Sequence, residues 1–134
     1  MDRFEARFEN ESHLGLYING QRQEEWVDAL LLWRSLFQSG DYFIRTCTCG
    51  QPGCVGIWDP ITVTHRGESI VWEDRHFEPP RRAEFPKAEY EGQIRSALAA
   101  LRSAFEAGKD IGPFGVEEVF NAYPEAGQFS RSPQ

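Results

Sequence analysis

The segment RFEARFENESHLGLYI, residues 3–18, alternates charged and apolar side chains with a period of two. Phe4, Ala6 and Phe8 stand between Arg3, Glu5, Arg7 and Glu9, and Leu14, Leu16 and Ile18 repeat the alternation. Side chains on an extended chain point to opposite faces in turn, so this is the pattern of a half-buried strand, written twice. The polar run ENES, residues 9–12, lies between the two, and Asn19-Gly20 ends the second. Residues 3–18 are therefore expected to form a β-hairpin with one face on a core.

Downstream the period changes. Trp26, Leu30, Trp33 and Phe37 fall four, three and four residues apart, and Val27, Leu31 and Leu36 widen the stripe. With Glu24 and Glu25 at its start, this predicts a helix over 23–38, stopped by Ser39 and by Gly40 as a left-handed cap. Strands are expected over 41–46 and 55–58, then a hairpin from 61–64 and 69–73 about the turn 65–68. Proline lacks the N–H a ladder needs, so PPRR, residues 79–82, marks 74–86 as a surface connection. Pro86 suits the first turn of a helix carrying Tyr90, Ile94, Leu98, Leu101 and Phe105, with Gly108 as its stop. Val116, Val119, Phe120 and Tyr123 mark a last short helix before Pro124. The order ββ-α-ββββ-α-α implies an α+β fold, a two-layer sandwich in which a mainly antiparallel sheet of about five to six strands carries helices on one face. At 134 residues the chain is expected to be one domain over 1–124, with 125–134 a frayed tail.

Lys and Arg number 14 against 21 Asp and Glu, a net charge of -7. Such a surface repels phosphate, which argues against non-specific nucleic-acid binding and suits a basic protein partner. The longest apolar run, residues 29–33, is far too short to span a bilayer, and the N-terminal segment has no signal-like apolar stretch. Together with an odd number of cysteines, this points to a reducing cytoplasm.

All three cysteines lie in CTCGQPGC, residues 47–54. Gln51-Pro52-Gly53-Cys54 fits a type II turn, proline presetting φ and glycine accepting the positive φ that follows. Cys47 and Cys49 would share one side of a strand, and Cys54 would face Cys49 across the turn. Three readings stay open. The thiols pack as a reduced cluster of small hydrophobes, which is preferred. They hold a structural zinc, which needs a fourth ligand. Or they form a reversible disulfide or do thiol chemistry. No metal ligand is assigned; the set zinc would use is Cys47, Cys49, Cys54 and His76, with His65 and His13 less well placed.

The stretch TCTCGQPGC, followed by Gly56 and the hairpin ITVTHRGESIVW, resembles a recurrent C-x-C-G-x-x-G-C pattern in small uncharacterised bacterial proteins, some of the toxin-immunity or accessory kind. The resemblance covers residues 42–72 and implies no activity and no functional residue. No G-x-S-x-G, Walker loop or H-E-x-x-H appears, and Gly112-Pro113-Phe114-Gly115 is too short to cradle a phosphate. The pairs Glu24-Glu25 and Glu117-Glu118 read as helix starts. The chain thus reads as a non-catalytic cytoplasmic protein-binding domain, an immunity or accessory protein for a basic toxin or effector. The hairpin ends and an Arg81-Arg82 loop are its expected contact surfaces. Two alternatives stay open, a zinc-stabilised regulatory module built on the cysteine turn and a small enzyme using Cys49 or His76. Oligomeric state is not legible.

Overall fold

The alternating N-terminal segment forms the hairpin its pattern dictates. Strand β1 (Phe4–Glu9) pairs antiparallel with β2 (His13–Ile18), setting Phe4 opposite Ile18 and Phe8 opposite Leu14. Phe4, Ala6, Leu14 and Leu16 are buried. A two-residue strand β3 (Gln21–Arg22) joins β2 across Asn19-Gly20, whose φ angles of 54° and 81° are those an Asn-Gly hairpin turn requires. The structure, a computed structural model, describes residues 1–23, 26–46, 60–75, 79–109, 111 and 115–126.

The helix expected over 23–38 is shorter. Trp26–Val27 forms strand β4, and helix α1 spans Ala29–Arg34. Asp28 is the reason. Its carboxylate accepts the Leu31 N–H at 3.0 Å as an N-cap, while its own N–H is held by Ile44 O at 2.8 Å. The α1 face buries Ala29, Leu32 and Trp33. Phe37, placed in the core stripe by its spacing, lies beyond the C-cap at Ser35 and is 56% exposed. Gly40 is not a left-handed cap; it opens strand β5 (Gly40–Tyr42). The strand expected over 41–46 is divided between β5 and β6 (Arg45–Thr46), which pairs with β4.

Strands β7 (Ile61–Arg66) and β8 (Ser69–Asp74) form the second hairpin as expected, Val63 opposite Trp72. The presumed connection 74–86 is half strand. β9 (Arg81–Pro86) pairs antiparallel with β8, giving a sheet ordered β5-β7-β8-β9. The prolines are tolerated because of their parity. Lys87 N–H donates to Glu68 O at 2.8 Å, so 68 and 87 are a bonded pair. Counting back by twos, Phe85, Ala83 and Arg81 face β8, and Pro86, Glu84, Arg82 and Pro80 face away. The N–H that each proline lacks would have pointed off the sheet edge. In place of one sheet of about five to six strands, the strands among the described residues divide into antiparallel ladders of three, two and four.

Helix α2 (Lys87–Glu106) lies chiefly against β1. Its Glu89 and Gln93 side chains accept the Phe4 and Ala6 N–H groups at 2.7 and 3.1 Å, closing the edge of β1 that β2 does not cover. Gly108, φ 76°, follows the helix as expected. Helix α3 (Val116–Ala122) packs on α1. Ala126 is fully buried, so packing continues past residue 124. The core centres on Phe4, Trp72, Phe85 and Tyr90, whose ring centroids lie 4.6–6.1 Å apart.

Candidate functional site

Three arrangements of side chains stand out, and each rests on a different piece of the fold. The first is where the three- and four-stranded ladders meet. Asp2 stitches them: its N–H donates to Glu84 O and its Oδ2 accepts the Glu84 N–H, both at 2.8 Å. Asn19 Nδ2 donates to Asp2 Oδ1 at 2.9 Å. These bonds from Asn19 and Glu84 hold the Asp2 carboxyl below its usual range. Beyond the stitch the ladders part around a cleft of about 300 Å³. Ile18, Trp72 and Ala83 give it apolar walls, and Gln21, Gln23, Arg81 and Arg82 line it with polar groups. Asp74, also in the lining, is bridged by Arg45 at 2.7 Å, the guanidinium side chain being only 3% exposed.

The second lies at the joint C-terminal end of α1 and α3. Phe37 packs edge-on against Trp33 with centroids 5.1 Å apart, and Tyr123 lies 6.3 Å from the same indole. Arg34, Gln38 and Tyr42 complete a groove of about 420 Å³. Tyr42 is fixed by donating its hydroxyl to Gln38 O at 2.8 Å, and burial raises its pKa. Residues 115–126 carry three carboxylates, Glu117, Glu118 and Glu125, and no Lys or Arg. All three are exposed.

The third is a polar network on the open face of β1, β2 and β3. Glu9 accepts Arg22 Nε and Nη2 at 3.0 and 2.8 Å and the Tyr17 hydroxyl. His13 Nε2 lies 3.5 Å away, and its Nδ1 lies 2.8 Å from Ser12 Oγ. Gly15 makes room: a Cβ there would fall 2.4 Å from the Glu9 carboxylate. Burial would raise the Glu9 pKa, but the bonds from Arg22 and Tyr17 outweigh it and hold it low. A carboxylate so saturated with donors is a poor general base, and the network ties three strands together.

The residues singled out by sequence fall as follows. Cys47, Cys49, Cys54 and His76, the zinc candidates, and the expected strand 55–58 lie outside the described residues. His65 Nε2 bonds Ser35 O at 2.9 Å, joining β7 to the end of α1, and His13 belongs to the Glu9 network. Arg81 and Arg82 are strand residues, not loop residues. Among the described residues no group of three His, Cys, Asp or Glu side chains is arranged to hold a metal ion. The aromatic groove escaped the sequence reading because Phe37 fits a helical stripe that ends before reaching it. No helix among the described residues is long and apolar enough to cross a membrane. Compared with protein-family models, curated proteins and solved structures, the chain finds no match.

Proposed function

We propose that the chain is a non-catalytic protein-binding domain of the immunity or accessory kind, whose α1–α3 face docks a basic protein such as a toxin or effector. The observation that carries this reading is Phe37, a large aromatic side chain 56% exposed at the mouth of a groove walled by Tyr42 and Tyr123. Aromatic anchors at pockets supply much of the energy of protein interfaces. Arg34 is the charged residue of the groove lining, but the chain carries a net charge of -7 and the 115–126 segment exposes Glu117, Glu118 and Glu125, the sign that attracts a basic partner and speeds its encounter. The Arg81-Arg82 strand carries the opposite sign, so the contact surface is moved away from it.

Co-purification from the native host at low and moderate salt tests the reading, with Phe37→Ala and the Glu117→Lys/Glu118→Lys pair alongside. The expected result is one basic partner, held less firmly as salt rises, with Phe37→Ala costing at least about 2 kcal/mol. Equal capture by all three proteins, or turnover of a small molecule that depends on Cys49 or His76, would overturn it. The zinc-module reading has one supporting observation. The Arg45–Asp74 bridge draws together β6 and β8, whose ends precede Cys47 and His76 in sequence. Near-stoichiometric zinc in protein purified without chelator, lost on Cys47→Ser, Cys49→Ser or Cys54→Ser, would favour that module.

A further inference from the structure

We propose that the aromatic groove at the end of α1 is filled, in the free protein, by Phe129 of the same chain, which a docking partner then has to displace. Three observations point to this occupant. The first is where the chain leaves the fold. Ala126 is fully buried, and its N–H donates to Tyr123 O at 2.8 Å, closing a turn over residues 123–126. Arg102 on α2 donates to both Pro124 O and Ala126 O, the second bond being 2.9 Å long. The exit is therefore pinned at Ala126, and the residue that opens its turn, Tyr123, is a wall of the groove.

The second observation is reach. Residues 127–134, GQFSRSPQ, lie outside the described residues, and Phe129 is the third of them. An extended chain advances about 3.3–3.6 Å per residue, so three residues carry Phe129 about 10 Å from Ala126. The ends of a β-turn lie within about 7 Å of each other, which puts Tyr123 inside that span. The third is chemistry. Phe37, Tyr42 and Tyr123 present ring surface, and Phe129 is the one aromatic residue of 127–134. An added ring can pack edge-on, as Phe37 already does on Trp33, and can take the Arg34 guanidinium on its face. The segment also carries Arg131 and no Asp or Glu, the sign that the exposed Glu117, Glu118 and Glu125 attract. A second copy of the chain would instead set -7 against -7, which favours the chain's own segment as the occupant. The competition with a partner rests on the docking function proposed above; the ring contacts do not.

The test is NMR on the full chain with labelled phenylalanine and tyrosine rings. Nuclear Overhauser contacts are expected between the Phe129 ring and those of Phe37 and Tyr123, and they should survive dilution. Phe129→Ala should abolish them and shift the Phe37, Gln38 and Tyr123 backbone amides, with the spectrum elsewhere like that of the parent. A synthetic peptide spanning 127–134, added at millimolar concentration to that variant, should return these amides towards their parent positions; the same peptide carrying Phe129→Ala should not. Where a partner is captured, Phe129→Ala should hold it more tightly, by about tenfold for a segment docked about 90% of the time. Contacts that vanish on dilution would assign the groove to a second copy and overturn the proposal. So would an absence of contacts together with unmoved Phe37 and Tyr123 amides in Phe129→Ala. Ring contacts in a chain that captures no partner would count against the docking function and not against Phe129, whereas firm capture by parent and variant alike, without ring contacts, would do the reverse.

Discussion

Tyr90 carries a hydroxyl into the centre of an aromatic core, and every proton around it has a direction. Ser35 Oγ donates to Leu32 O at 2.6 Å, so Ser35 must accept from the Tyr90 hydroxyl, also at 2.6 Å. Trp72 Nε1 in turn donates to the Tyr90 oxygen at 3.2 Å. Burial drives the Tyr90 pKa well up, so this phenol stays protonated and the relay intact across the working pH range. Removing the hydroxyl leaves the Trp72 N–H without its acceptor and Ser35 without its donor. Tyr90→Phe is expected to cost about 1–3 kcal/mol in urea denaturation despite preserving the ring. Ser35→Ala on top of it should add less than it does alone. A Tyr90→Phe protein as stable as the parent would show the relay to be energetically idle. Helical spacing made the burial of Tyr90 legible in the sequence. Its partners were not, because Ser35 is 55 positions away and sits at a cap that depends on where α1 ends.

At the scale of elements, periodicity located most of the hydrophobic faces but misplaced several ends. The stripe Trp26, Leu30, Trp33, Phe37 is equally compatible with one long helix and with a strand, a cap and a short helix. Asp28, directly before Ala-Leu-Leu-Leu, was the signal that separated them. Strand β9 was hidden by its prolines, since a residue's parity against its neighbour cannot be known until the register is. That register makes a sharp expectation. Arg82 turns its N–H off the edge, so Arg82→Pro should cost no more than about 1 kcal/mol. Ala83 gives its N–H to β8 opposite Trp72, so Ala83→Pro should cost about 3 kcal/mol or more. Chemical denaturation of the two variants decides it; equal losses would place the ladder one residue out of the register observed.

For the whole molecule, the sign of the net charge was plain in the composition, but its placement was not. The α3 segment exposes Glu117, Glu118 and Glu125, while folding sets Asp2 and Asp74 beside Arg81 and Arg82 around the cleft, and no count of residues reveals that distribution. The carboxylates Asp2, Glu9 and Asp28 shape the response to acid, and they pull in opposite senses. Asp2 and Glu9 have lowered pKa values, so their contributions are fully present above the usual 3.8 and 4.5 and are lost as pH falls through their folded values. Asp28 runs the other way. Its burial between α1 and Gly115, with Glu118 nearby adding to the effect, outweighs the Leu31 and Leu30 N–H bonds and raises its pKa above 3.8. Its protonated form is the one the fold favours, so the stability it contributes is complete below 3.8 and is lost as pH rises through its folded pKa. Asparagine caps a helix as well as aspartate does and carries no charge to desolvate. Asp28→Asn is therefore expected to match or exceed the parent in denaturation midpoint at pH 7, with the difference narrowing as pH falls towards 3.8. Midpoints measured for both proteins from neutral pH down into the acid limb provide the check. A variant that is weaker at pH 7 and recovers in acid would mean that the Asp28 charge stabilises the α1–α3 junction.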